Sequence, residues 1–387
     1  MIKVDIVIVG AGIAGLWSAN QLQARGLSVL VLENQAIGAN QTIHSQGIIH
    51  GGIKYSLTGK LSTATKAIAS MPSIWESCLA GSGVVDLTSA KVLSGHYLLW
   101  SADSLASKLG TVIASKFLQG KNRRLSPSAY PKVLHDRAFS GQVYQVDEKV
   151  LDIPSVLKAL TLPLKNKIVK LANWKAVLNN QQVESLKIYS DSGASETVQA
   201  QKYIFTAGFG NQTISQQTGL AKMQARPLHM VYAKLNDCLP FYAHCVDMQQ
   251  VPRVTITTHY TANGECVWYL GGKLAEVGIH QTTEQQCHCA LQELKHLLPW
   301  LDMQAWKFNA FKIDRAEASQ LKNHRPNYFT AVNNGNTIIA WPTKLAFAPG
   351  LAAQIHQYCA TIKPRFTHDS LPWNMPEIAV PIWEKSC

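Results

Sequence analysis

Three glycines, spaced as Gly10-Ala11-Gly12-Ile13-Ala14-Gly15, stand directly after the apolar run Lys3 to Val9 and ahead of a helical pattern that runs through Ala24. Strand, glycine turn and helix in that order make a diphosphate-binding turn. Gly10 permits the tight turn, Gly12 lets main chain approach a diphosphate, and Gly15 lets the helix pack on the strand. The unpaired N–H groups of the first helical turn, Ile13 and Ala14 among them, offer hydrogen bonds to the anion. After a break at Gly26, Leu27 to Leu32 reads as a second strand ending in Glu33, whose carboxylate suits a ribose diol, with Asn34 beside it. Ala19, Leu22, Gly26, Val29 and Glu33 all fall where a complete dinucleotide unit places them. The unit fits FAD and NAD alike, because both carry the same ADP half.

Residues 38–55 read GANQTIHSQGIIHGGIKY, too rich in glycine and small polar groups for a regular helix or an amphipathic strand. They suit a loop that clasps a ligand. Gly47, Gly51 and Gly52 let main chain lie against a flat ring, Ile48 and Ile49 supply apolar contact, and Ser45 and Gln46 offer hydrogen bonds to a diphosphate or a ring edge.

At this loop the sequence resembles the D-amino-acid-oxidase-like family of FAD oxidoreductases, which includes glycine oxidase, FAD-linked glycerol-3-phosphate dehydrogenase and L-2-hydroxyglutarate dehydrogenase. Gly-Ile-Ile-His-Gly-Gly-Ile-Lys-Tyr at 47–55 is similar to the flavin loop of the last two members. Residues 202–210, KYIFTAGFG, resemble the family's strand followed by a turn, here Ala207-Gly208, that returns the chain to the cofactor. The resemblance implies FAD as cofactor and contact of Ile168 or Val169 with adenine through the backbone. It also implies that the segment 338–350 faces the pyrimidine end of the flavin through Thr343, Lys344, Leu345 and the start of a helix running to about Ile362, with Pro349 in its first turn. Lys344 and the helix dipole would stabilise negative charge there.

The implied fold class is α/β: a Rossmann-like FAD-binding domain with a second, mixed-sheet α+β substrate domain. Residues 1–75, 145–222 and 326–387 are expected to form the first, and 76–144 with 223–325 the second. In the latter, Tyr232 to Leu235, Val251 to Thr258 and Cys266 to Leu270 alternate as strands do, and Thr283 to Leu298 has helical spacing. At 387 residues two domains are also the expectation from length.

Oxidation of an alcohol or amine by a flavin needs a base and an anchor for the substrate. Candidates are His50, Arg226, His229, His244, Arg253, His259, Arg315 and Arg325. His50 leads as base, substrate-orienting group or covalent flavin link, because its loop must lie near the ring; His259, at a strand end, comes second. Arg315 and Arg325 are the expected anchors for a carboxylate or phosphate, since a guanidinium presents a planar fork of donors.

Composition narrows the partners. Apolar residues at 47% against 16% charged exclude a disordered chain. The net charge of +12 favours anionic partners, yet basic groupings such as Lys121, Arg123 and Arg124 are short and lack interleaved aromatics, which argues against nucleic acid. Eight cysteines (78, 238, 245, 266, 287, 289, 359 and 387) include no CxxC pair, and Cys287 and Cys289 face apart on their helix, so no metal site and no disulfide framework is expected. This reads as a reducing, cytoplasmic setting. No apolar stretch reaches spanning length, which leaves peripheral contact with the inner face of a membrane open.

The leading expectation is therefore an FAD-dependent dehydrogenase or oxidase that takes hydride from a small anionic 2-hydroxy acid, polyol phosphate or amino acid, with the hydroxy compounds preferred and an amine oxidase of the glycine-oxidase type next. A tRNA-base-modifying FAD enzyme and a non-catalytic FAD-binding assembly protein are the alternatives. Oxygen, a quinone or a protein would serve as electron acceptor, and the sequence does not choose.

Overall fold

The computed structural model describes residues 1–51, 68–101, 122–246, 251–321, 324–367 and 371–385. The first strand, β1 (Ile2–Val9), is buried from Val4 onward instead of alternating, as a strand covered on both faces must be. Helix α1 (Ile13–Ala24) and β2 (Val29–Glu33) follow, and β2 pairs parallel to β1 with Val9 opposite Leu32. Two more parallel strands extend this sheet: β3 (Ile168–Lys170) beside β2, and β4 (Ser195–Phe205) on the other side of β1. Then β5 (Thr337–Trp341) lies parallel to β4, and Thr330–Asn334 closes the edge antiparallel. A hairpin, Asn173–Asn179 with Gln182–Tyr189, hangs on the first half of β4.

Because β1 has its sequence neighbour β2 on one side and β4 on the other, the strand order reverses at the carboxyl end of β1. In open parallel sheets that is where a crevice for ligand opens. Helix α2 (Ala348–Tyr358), with Pro349 in its first turn, packs against α1 and ends four residues short of the Ile362 expected from sequence. Between them Trp17 meets Trp75 edge to face with centroids 4.7 Å apart, and Trp75 donates its indole N–H to the Ala346 carbonyl at 3.1 Å. Trp75 belongs to helix Met71–Leu79, which spans the boundary expected at 75/76 and packs in this first core along with Met71 and Cys78.

At the opposite, amino end of the sheet, buried Asp5 ties four segments together. It accepts from Ser28 N (2.9 Å) and Ser28 Oγ (3.0 Å), from Gln201 Nε2 (2.6 Å) and from Arg365 N (2.9 Å).

The second sheet has eight strands in the order Lys307–Ala318, Met223–Lys234, Cys266–Gly271, Val254–Tyr260, Ala243–Cys245, Tyr97–Trp100, Val143–Val146 and Arg123–Arg124. It is mixed, because Ala243–Cys245 runs parallel to Tyr97–Trp100 while the other pairs are antiparallel. The strand expected only over Tyr232 to Leu235 starts nine residues earlier and pairs with Lys307–Ala318 along its whole length. Pro227 interrupts the sequence pattern there but is tolerated, since at that point the strand has its neighbour on one side only. Helix Thr283–Leu297, started by a capping box between Thr282 and Gln285, buries Ala290, Leu294 and Leu297 against this sheet. No helix among the described residues is long and apolar enough to cross a membrane.

Candidate active site

A cleft of about 390 Å³ runs along the carboxyl ends of β1, β2, β4 and β5 and is roofed by the second sheet. That volume suits a bound small molecule or cofactor. Gly10, with φ +104°, turns the chain out of β1, and a Cβ on it would lie 2.7 Å from the Ala207 Cα and the Thr206 carbonyl oxygen. A Cβ on Gly15 would run into the Gly10 carbonyl, so Gly15 serves packing and does not itself line the cleft. Gly12, extended, precedes α1 with no side-chain cap. Gly12, Ile13 and Ala14 line the cleft.

Glu33 accepts from Ala11 N and Gln35 N, both at 2.8 Å, which locks the turn to the end of β2. Burial pushes its carboxyl up, and these backbone donors hold it partly back. Each carboxylate oxygen keeps a lone pair for a further donor. Asn34 lines the cleft beside it. Val169 pairs with Leu32 and is buried in the core that also holds Leu171; Leu171 and Trp174 form the cleft wall at this end. The contact expected from Ile168 or Val169 runs through the backbone, and neither side chain lines the cleft.

In the following loop Thr42, not anticipated from the sequence, accepts from Ile13 N at 3.1 Å. Ser45 Oγ is buried on the cleft wall without a hydrogen-bond partner among the described residues. Gln46 also lines the cleft, but its amide nitrogen is engaged by the second sheet, at 2.9 Å from the Tyr269 carbonyl and 3.3 Å from that of Thr255. It staples the loop to its roof. Gly47, with φ +73°, pairs through its carbonyl with Leu151 N (2.9 Å), and Ile48 bridges Val150. Ile48 reaches the cleft, whereas Ile49 is buried in the first core and Gly51 stands off the wall. Gly52 to Tyr55, the remainder of the expected flavin loop, lies outside the described residues.

On the other flank, Ala207 and Gly208 (φ +57°) form the expected turn after β4. Asn211 secures it, accepting from Ala207 N (2.9 Å) and donating to the Ala340 carbonyl (3.1 Å). Thr343, at φ +59°, donates its hydroxyl to the Pro342 carbonyl, and Thr343, Lys344 and Leu345 all reach the cleft just before α2. The Lys344 ammonium lies 5.2 Å from the centre of the Phe347 ring.

His50 stands at the cleft with Nδ1 3.2 Å from Glu148 Oε2, while Glu148 Oε1 accepts from Gly51 N at 2.7 Å. His244, its ring stacked on that of His50 at 5.7 Å, lines the cleft as well. The ligating atoms of His50, Glu148 and His244 lie within 4.8 Å of one another. Glu148 has no signal in the sequence; it arrives from a segment almost a hundred residues away.

His259, expected as second base, is not on the cleft wall. It sits one alternation beyond Thr255 and Thr257 on the same strand face, but the C-terminal turn lays Trp383 over it with ring centres 5.0 Å apart. Burial drives its imidazole down to about 3, and its Nε2 lies 3.0 Å from Thr257 Oγ1. His229 is buried against the Gly278 carbonyl, and Arg253 is paired with Glu293 at 2.8 and 3.0 Å. His44, not anticipated, lines the cleft, where burial and then Lys385 pull its imidazole down to about 4.

The arginines divide by their partners. Arg226 forms a bidentate pair with buried Glu317, both bonds 3.0 Å. Arg315 and Arg325 line the cleft, and among the described residues Arg315 Nε and Nη2 and Arg325 Nε are buried without hydrogen-bond partners; the nearest carboxylate to Arg315 there, Glu276, is 3.8 Å away. Burial, followed by Arg325 and Arg226, pulls the Arg315 guanidinium down to about 9. Arg226 and Arg315 thus share two carboxylates, Glu276 and Glu317, and Arg325 has no carboxylate paired with it among the described residues. An anion between Arg315 and Arg325 would satisfy both the orphaned donors and the surplus charge.

The fit to a long dinucleotide cofactor is set by the same walls: a bare helix start, glycines that leave no space for a Cβ, an orphaned Ser45 hydroxyl, and contributions from three separated stretches. Comparison with known proteins agrees. Residues 5–336 match the model of the DAO family, FAD dependent oxidoreductase. The chain is 37% identical over 396 residues to the probable FAD-dependent oxidoreductase PA4991 of Pseudomonas aeruginosa, covering 99% of this chain and 98% of that one. The crystal structure of PA4991 superposes with a TM-score of 0.84 at 33% identity, covering 99% and 98% of the two chains. Glycine oxidase from Geobacillus kaustophilus (TM-score 0.68, 11% identity, 97% and 99% covered) and L-alpha-glycerophosphate oxidase from Mycoplasma pneumoniae (0.65, 14%, 98% and 100%) share the fold.

Proposed function

The chain belongs to the DAO family of FAD-dependent oxidoreductases, and from that premise we propose that it oxidises the C–H of a small anionic hydroxy compound, a 2-hydroxy acid or a polyol phosphate, in the cleft between the two sheets. The observation that carries this reading is the pair Arg315 and Arg325, which line the cleft with buried donors that lack partners among the described residues. They hold the substrate's carboxylate or phosphate.

Bound FAD supplies the two-electron acceptor. Gly10 to Ala14 and the first turn of α1 would hold its diphosphate, Glu33 its ribose, and Ser45, Ala207 and Thr343 to Leu345 its far end. The remaining task is one proton. With His50 Nδ1 3.2 Å from the Glu148 carboxylate, the dyad would take the proton of the substrate hydroxyl, Glu148 stabilising the imidazolium that forms. A hydroxyl needs such a base to be oxidised at neutral pH more than an amine does, which is why this dyad supports the hydroxy compounds.

Glu276 on the cleft wall supports a second reading, an amino acid whose ammonium it would hold. Mixing the FAD-loaded protein anaerobically with 2-hydroxy acids, polyol phosphates and amino acids separates the two. Bleaching of the flavin band by a hydroxy compound is expected; bleaching by amino acids alone would replace the first reading with the second, and bleaching by none would remove both.

A further inference from the structure

Away from the cleft, the Sγ atoms of Cys238 and Cys266 lie 2.6 Å apart, about half an ångström beyond an S–S bond of ~2.05 Å. Both are free thiols. Cys266 opens the strand Cys266–Gly271 and is 3% exposed, whereas Cys238 stands exposed on the segment that leaves Met223–Lys234.

We propose that Cys238 and Cys266 are a redox-active dithiol, with exposed Cys238 the sulfur that a hydroperoxide oxidises and buried Cys266 the sulfur that resolves it to a disulfide. The backbone around the pair is already set. Leu235 N donates to the Cys266 carbonyl (2.9 Å) and the Trp268 indole to the Leu239 carbonyl (2.7 Å), so hydrogen bonds bracket the two sulfurs on both sides. Phe241 N is held by Thr258 Oγ1 at 2.7 Å, and the Tyr260 side chain hydrogen-bonds Cys238.

The division of roles follows from access and protonation. Burial, with Cys238 beside it, pushes the Cys266 thiol up to about 12, so it waits as a protonated sulfur out of reach of solvent. Cys238 is the one a peroxide meets. Its sulfur attacks the O–O bond, an S–O bond forms, and water or an alcohol leaves. The Cys266 sulfur then attacks the sulfenic sulfur, the S–S bond forms, and the S–OH oxygen departs as water with the Cys266 proton. Two thiols lose two electrons, and one hydroperoxide gains them. The disulfide would pin the exposed segment to the strand that ends at Gly271 on the cleft wall.

The test uses the full chain with FAD bound, reduced, freed of reductant and treated briefly with hydrogen peroxide. Thiols counted after denaturation should fall by two from eight, peptide mapping should link Cys238 to Cys266, and dithiothreitol should restore the count. Cys238→Ser should abolish the loss, and Cys266→Ser should leave a sulfenic acid at residue 238 that dimedone traps. An unchanged count, a loss mapped to other cysteines, or oxidation of Cys238 with Cys266 still a thiol would overturn the proposal.

Discussion

Two side chains distinguish this cleft from a cofactor groove alone: Arg315 and Arg325, half-buried cations with buried donors left open among the described residues. Removing one charge-assisted anchor costs about 1.5–3 kcal/mol, roughly 10- to 150-fold in affinity. Arg315→Ala should therefore weaken the substrate identified by anaerobic bleaching by that factor while FAD content stays unchanged; equal affinity would show that the anion lies elsewhere. His50→Ala should slow flavin reduction by roughly 10²- to 10⁴-fold, the usual worth of a general base, and Glu148→Gln by less, in rapid-mixing measurements at saturating substrate. Equal rates in all three proteins would remove the dyad from the mechanism. Residues bound to a backbone requirement were readable in sequence: Gly10, Gly12, Gly15 and Glu33 need only one strand, one turn and one helix. Glu148, His44 and Thr42 were not, because each owes its place to pairing between distant segments, and His259 misled because Trp383, far along the chain, covers it.

Among elements, the βαβ unit was legible almost to the residue, since its strands are continuous apolar runs punctuated by glycine. The long strand Met223–Lys234 was not, because Pro227 hides its first half and only the missing neighbour on one side makes that proline tolerable. Asp5, a charge inside an apolar strand, has its explanation at this scale too. Burial opposes its ionisation, but the hydrogen bonds from Ser28, Arg365 and Gln201 overcome that and hold the carboxyl below its usual range. Its contribution to stability is thus full above about pH 4, the unfolded value, and is lost as pH falls through the folded one. Asp5→Asn should lower stability by roughly 1–3 kcal/mol at neutral pH, with the gap from the natural protein closing in melts as the pH falls through the lowered folded value. A gap that stays constant with pH would deny the carboxylate this part. Gly10→Ala, placing a Cβ against Ala207 at a positive φ, should yield folded protein with little flavin, read from its absorbance ratio.

For the whole molecule, the account rests on separated stretches of chain meeting around one elongated cofactor: the turn after β1 with the loop that follows β2, the Ala207-Gly208 turn, and Trp341 to Leu345 ahead of α2. The family resemblance anticipated this discontinuous plan, but composition and periodicity alone would have given only a first unit and a mixture of strands. Hydrogen exchange compared between the FAD-free and FAD-loaded protein addresses it directly. Protection on adding FAD is expected together at residues 10–15, 41–48, 206–210 and 341–346, distant in sequence and contiguous in space. Protection confined to the first of these would mean that the chain grips only the ADP half, and the shared cleft would not stand.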